Sequence, residues 1–153
     1  MNRSTLVSAT ARAAALGITA GMRSQLPLAL LARTAARTGP QWLRKRTVPT
    51  NLYLSAAGEI VGDKLPMTPS RLEPLSMAGR LVFGSFSGAI LVRRLEAPVL
   101  AGVMAGALGA VAGSLAGYHA RRWLGETSGL PDAIWAGAED ALAISIGLLA
   151  TRE

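Results

Sequence analysis

The 22 residues from Ala97 to Tyr118 contain no acidic, basic or histidine side chain. As a helix rising about 1.5 Å per residue, this stretch is long enough to cross a hydrocarbon core of roughly 30 Å. Inside it, Gly102 and Gly106 are four apart, as are Gly109, Gly113 and Gly117. That spacing lines one helix face with glycine and lets a second backbone approach closely. Pro98 suits the first turn. His119, Arg121, Arg122 and Trp123 follow as an interfacial belt. The segment predicts a membrane-spanning helix packed tightly against its neighbours.

The rest of the chain fits that setting. Half of its 153 residues are hydrophobic and 16% are charged, against about 25% charged in an ordinary soluble domain. Mean hydropathy is +0.35. The length predicts one integral membrane domain, residues 1–153. The glycine spacing recurs at Gly17–Gly21, Gly58–Gly62 and Gly84–Gly88. This predicts an all-α helical bundle and offers faces for a homo-oligomer. The absence of cysteine excludes disulfides, thiolate metal sites and cysteine nucleophiles.

A net charge of +7 raises nucleic-acid binding as one reading. The distribution favours membrane loops instead. Arg33, Arg37, Arg44, Lys45 and Arg46 form one group between apolar segments, with Arg93–Arg94 and Arg121–Arg122 as two more. Cytoplasmic loops carry such clusters, so no nucleic-acid partner is expected. The richest group, Arg33–Arg46, is placed in the cytoplasm, and Asp63–Arg80 on the other side. Pro66, Pro69 and Pro74 predict an extended loop there. Met1-Asn2-Arg3 precedes an apolar run, but Arg12 breaks it. A cleaved signal has an uninterrupted apolar region, so this segment is read as retained. The expected setting is a multi-pass protein in the bacterial cytoplasmic (inner) membrane.

Four further apolar segments are less clean. Leu6–Ala32 carries Arg12 and Arg23, and Pro27 should kink or break it. Asn51–Gly62 and Leu81–Val92 are short, though the latter has room to start at Leu75 and absorb Arg80. Ala133–Ala150 contains Glu139 and Asp140. A polytopic bundle of four to five membrane segments follows, four of them principal, with the first segment and 49–66 bent or re-entrant. A weak internal repeat is also expected: Ala56-Ala57-Gly58-Glu59 echoes Ala136-Gly137-Ala138-Glu139, and Ala20–Arg23 loosely echoes Ala116–His119.

Carboxylates are expensive in a membrane, at about 2.5–3.5 kcal/mol each. Glu59 and Asp63 lie four apart, on one face of a helix. Glu139 and Asp140 interrupt the last segment. Such residues must be paired, protonated or hydrated. Arg23, Lys64, Arg71 and Arg80 are the available cations. Two readings stand side by side. In one, Glu59, Asp63, Glu139, Asp140 and Arg23 form a site for a small cation or proton in a transporter- or channel-like protein, supported by Lys64, Arg71 and Arg80. In the other, the charges fix helix packing in a non-transporting accessory subunit, for instance by a Glu59–Arg23 pair. With one histidine and no cysteine, a zinc or copper site is not expected, and His119 reads as interfacial. Ser24 and Ser87 lack a nucleophile's surroundings. No phosphate-binding loop is present, so neither enzymatic activity nor a cofactor is expected. Arg71, with Thr68 and Ser70, reads as a solvated loop or as a lipid-phosphate contact.

Gly21-Met22-Arg23-Ser24, Gly58-Glu59-Ile60-Val61-Gly62-Asp63-Lys64-Leu65-Pro66, Thr68-Pro69-Ser70-Arg71, Gly79-Arg80 and Glu139-Asp140-Ala141 are spread along the chain. Together they resemble an uncharacterised family of small bacterial integral membrane proteins, domain of unknown function four-one-two-six. The resemblance runs from about Leu16 to Leu149. It implies a multi-helix membrane protein and supplies no established activity.

Overall fold

The computed structural model describes residues 3–38, 40–45, 47–62 and 72–152. The described residues form six α-helices and no strand. These are α1 (Arg3–Met22), α2 (Leu26–Thr38), α3 (Thr47–Gly62), α4 (Pro74–Arg94), α5 (Val99–Ser128) and α6 (Asp132–Ala150). A single 3-10 turn, Gln41–Arg44, joins α2 to α3. Three helices, α4, α5 and α6, are long and apolar enough to cross a membrane.

Local chemistry sets the boundaries. α4 opens on Pro74, and Pro27 and Pro49 fall in the first turns of α2 and α3. A first-turn N–H has no intrahelical acceptor, so proline costs nothing there. Pro98 takes the N-cap position of α5 rather than its first turn. α4 closes in a Schellman turn, with Glu96 N–H donating to the Arg93 carbonyl at 3.3 Å and Ala97 N–H to the Val92 carbonyl at 2.8 Å. Glu96 holds the left-handed position, φ 55°, that glycine usually fills. α5 ends at Gly129, φ 65°.

Glycine sets the packing. Gly17 and Gly21 of α1 lie against the α5 backbone at Gly106, Ala110 and Gly113. Gly84 and Gly88 of α4 lie against Gly106 and Gly102. The order of these contacts makes α1 parallel to α5 and α4 antiparallel to it. A Cβ at Gly106 would overlap the Gly84 carbonyl oxygen. α6 runs antiparallel to α1, since Thr19 meets Ala143 and Arg12 donates to the Ala150 carbonyl. α1 is therefore the central helix. Its buried stripe of Ala9, Ala13, Leu16, Gly17 and Ala20 is small-residued because three helices close on it.

The first apolar segment does not continue as one kinked helix. It turns back at Arg23-Ser24-Gln25, just before Pro27, and α2 returns alongside α1. Leu30 thereby reaches Gly147, and Leu31 joins Leu16 and Ile90 in a core cluster. The expected extended loop is shorter than Asp63–Arg80, because α4 begins at Pro74 and takes in Arg80. The belt at His119–Trp123 lies inside α5, which continues to Ser128. The two halves of the echoed sequence sit in different local settings. Residues 20–23 end a helix whereas 116–119 lie within one, and the echoed segments of α3 and α6 run in opposite directions, as inverted units would.

The basic groups at Arg93–Arg94 and Arg44–Lys45 share one end of the bundle. Arg94 donates to the Thr34 hydroxyl and the Leu31 carbonyl, and Trp42 stacks on Phe86 at 5.8 Å. Arg121–Arg122 lie toward the other end, across the length of α5.

Gly106→Val should lower stability by roughly 1–3 kcal/mol, because its side chain has no room at the α4 contact. Gly58→Ala has open space around it and should be neutral or stabilising by up to about 1 kcal/mol. Equilibrium unfolding of the detergent-solubilised protein, followed by circular dichroism, separates the two.

Candidate functional site

A three-residue turn between two helices leaves orphan groups on both sides: free carbonyls at the end of α1 and free N–H groups at the start of α2. Ser24 and Gln25 immediately precede the first turn of α2. Glu59, near the end of α3, accepts from three of the donors there. Its Oε1 takes the Ser24 N–H at 2.7 Å and the Ser24 hydroxyl at 2.8 Å, and its Oε2 takes the Gln25 N–H at 3.0 Å. The carboxylate thus sits at the positive end of the α2 dipole.

The other side of the turn is matched by one cation and one hydroxyl. Arg80, 6% exposed, donates to the Gly21 carbonyl at 2.7 Å. The Ser114 hydroxyl of α5 donates to the same oxygen at 3.2 Å. These contacts place positive charge at the negative end of α1. One short turn is therefore held by charges of opposite sign, supplied by α3 on one side and α4 on the other.

Arg23, within the turn, is 1% exposed. Its Nε donates to Asp140 Oδ1 of α6 at 2.5 Å. Asp140 and Glu139 are each 8% exposed. Glu139 Oε2 lies 3.8 Å from Arg121 Nη1 on α5, and Arg121 also pairs with the exposed Asp132. The arginine–carboxylate chain Asp132–Arg121–Glu139 thus adjoins the Asp140–Arg23 pair along α6. Burial makes these pairs consequential, because a charge that loses its partner cannot recover it from water.

The expected site is brought together in part. Glu59, Glu139, Asp140, Arg23 and Arg80 all gather around the α1–α2 turn. The pairing differs from a Glu59–Arg23 bridge: Arg23 goes to Asp140, and Glu59 goes to helix N–H groups. The reason is directional. The turn aims the Ser24 and Gln25 N–H groups at α3, whereas the side chain of Arg23 points to α6. Asp63, Lys64 and Arg71 lie outside the described residues. His119 is exposed and away from the carboxylates' contacts, with its ring against Tyr118. Among the described residues no three histidine or acidic side chains converge as metal ligands.

Ser114, Arg121, Asp132 and the backbone of residues 21–25 were not expected at the site. Ser24-Gln25 directly before Leu26-Pro27 carried the available signal, a polar pair ahead of an apolar run with an early proline. Ser114 had none, since one serine in a glycine-rich stretch reads as packing.

The cluster's depth follows from α5. Ser114 lies fifteen residues from Val99, or about 22 Å along the helix. The cluster therefore lies near the middle of the thirty-residue α5 and not at either of its ends. No family model, curated protein or solved structure matches the chain.

Asp140→Ala should lower stability by about 3–5 kcal/mol, because it breaks a buried arginine–carboxylate pair. Asp132→Ala, at the exposed end of the chain, should cost less than about 1 kcal/mol. Unfolding in mixed micelles, with detergent denaturant as titrant, measures both.

Proposed function

We propose that the chain is a multi-pass protein of the bacterial cytoplasmic membrane, crossing it with α1, α4, α5 and α6. In this reading its charge cluster is the lock that fastens the α1–α2 hairpin and the outer helix α3 to the bundle. The role is that of a non-transporting structural or accessory subunit. One observation carries it: the described carboxylates at the turn are engaged by the chain's own donors. Glu59 takes three donors at the start of α2, Asp140 takes Arg23, and Glu139 faces Arg121. The resemblance to the small bacterial membrane family is in keeping with this setting. The end carrying Arg44, Lys45, Arg93 and Arg94 is the cytoplasmic one, by the excess of basic residues.

Inward glycines close the bundle within one chain. The face left for a second copy or a larger partner is therefore α3, where Tyr53, Leu54 and Val61 are exposed and Gly58 and Gly62 border open space.

A second reading is supported by the helix break itself. Transporters build ion sites where helices are interrupted, and intramembrane ionisable groups are functional by default. In that reading Glu59, half-buried with no cationic partner among the described residues, is the group that takes a proton or small cation. Asp140 then exchanges with Arg23.

Proteoliposomes loaded with a pH- or potassium-sensitive dye separate the two. The structural reading expects wild-type flux no greater than in empty vesicles, and a lower folded yield for Glu59→Gln and Glu139→Gln. Wild-type flux abolished by either variant, with folded yield intact, would overturn it in favour of transport.

A further inference from the structure

A second feature lies at the opposite end of the molecule. Between the 3-10 turn and α4 there is a groove of about 550 Å³. Its walls are Trp42, Phe86, Ile90 and Val99, and its rim carries Arg93 and Arg94. Phe86, Ile90 and Arg93 recur at helical spacing along one face of α4, and Val82, one turn before Phe86, extends that face outward. Val82, Phe86 and Val99 are exposed apolar residues. On a helix that crosses a bilayer, such a face meets acyl chains.

The arginines divide the work. Arg94 is tied to α2 through the Leu31 carbonyl and the Thr34 hydroxyl. Arg93 is exposed and makes no hydrogen bond or ion pair among the described side chains. Glu96, on the same corner, forms no ion pair with either arginine among the described residues. From Phe86 to Arg93 the helix rises by about 10 Å. This is the order of separation between a phospholipid's phosphate and the upper part of its chains.

We propose that this groove binds one anionic phospholipid. Its phosphate rests on the Arg93 guanidinium in the positive field of Arg94, and an acyl chain lies along the Trp42–Phe86 stack toward Val82. Charge complementarity selects the headgroup, because a free guanidinium above an apolar wall favours a negative group at the interface. The apolar wall selects a lipid over a soluble phosphate, which has nothing to place there. A basic pocket between helices at the end richest in arginine is where such lipids are held. This inference rests on the membrane setting proposed above, and on neither of its two functional readings.

The test uses Trp42 as reporter. The full chain carrying Trp123→Phe and Trp135→Phe retains Trp42 as its only tryptophan. It is reconstituted in vesicles in which brominated phosphatidylglycerol or brominated phosphatidylcholine replaces part of the unlabelled lipid. The expected result is about fivefold preferential quenching of Trp42 by the anionic lipid, the ratio one arginine near the surface supplies. In Arg93→Gln that ratio should fall toward one with the circular dichroism spectrum unchanged. Equal quenching by the two lipids would overturn the proposal, as would a preference that survives Arg93→Gln. Weak quenching by both, restored when the protein is diluted in lipid, would assign the groove to a second copy and overturn it too. Relief of quenching by added inorganic phosphate would assign the site to a soluble anion. Absence of quenching by any brominated lipid would instead defeat the membrane setting itself.

Discussion

The α1–α2 turn depends on one requirement, that backbone groups removed from water must find partners within the protein. A helix that ends and reverses inside an apolar bundle releases N–H groups on one side and carbonyls on the other. Here Glu59 takes the first and Arg80 the second. Each side chain comes from a different helix. Satisfying one three-residue turn therefore fixes where α3 and α4 end up relative to α1. The acidic and basic residues that look misplaced in an apolar chain are where a reversed helix needs them.

The same logic recurs at the far end. Arg12 donates to the Ala150 carbonyl at the end of α6, while Arg94 adds a bond to the mid-helix Leu31 carbonyl of α2. Part of the net positive charge is thus spent on helix carbonyls. This differs from the use of basic residues in nucleic-acid binding, where they would stand together on a solvated face. Arg93 is set apart because its neighbour already has such a partner and it does not.

Glycine makes this wiring compatible with a tight core. At Gly106 three helices approach closely enough that a methyl group would strike a backbone oxygen. Dispersion between backbones at that range replaces the large side chains of a soluble core. It also explains why α1 reads as less apolar than a lipid-facing helix. The surroundings of its C-terminal half are protein, so small and hydroxylated residues such as Thr19 are accommodated, with the hydroxyl returned to the Ala15 carbonyl at 3.0 Å.

Much of this was legible beforehand. Charge-free length marks α5, glycine spacing marks the α1–α5 and α4–α5 seams, and Glu59, Glu139 and Asp140 stand out as carboxylates in need of partners. These are local or periodic properties, and a chain carries them whatever its topology. The identity of the partners was not legible. Arg23 and Asp140 are 117 positions apart, and they meet because α6 runs antiparallel to α1. Glu59 meets Ser24 and Gln25 instead of Arg23 because α2 folds back and presents its N–H groups to α3. The sequence alone determined that an apolar helical chain carries carboxylates in need of partners. Only the tertiary structure decided which partners they take, because pairing follows from helix direction and the aim of one turn, and neither is written in residue spacing.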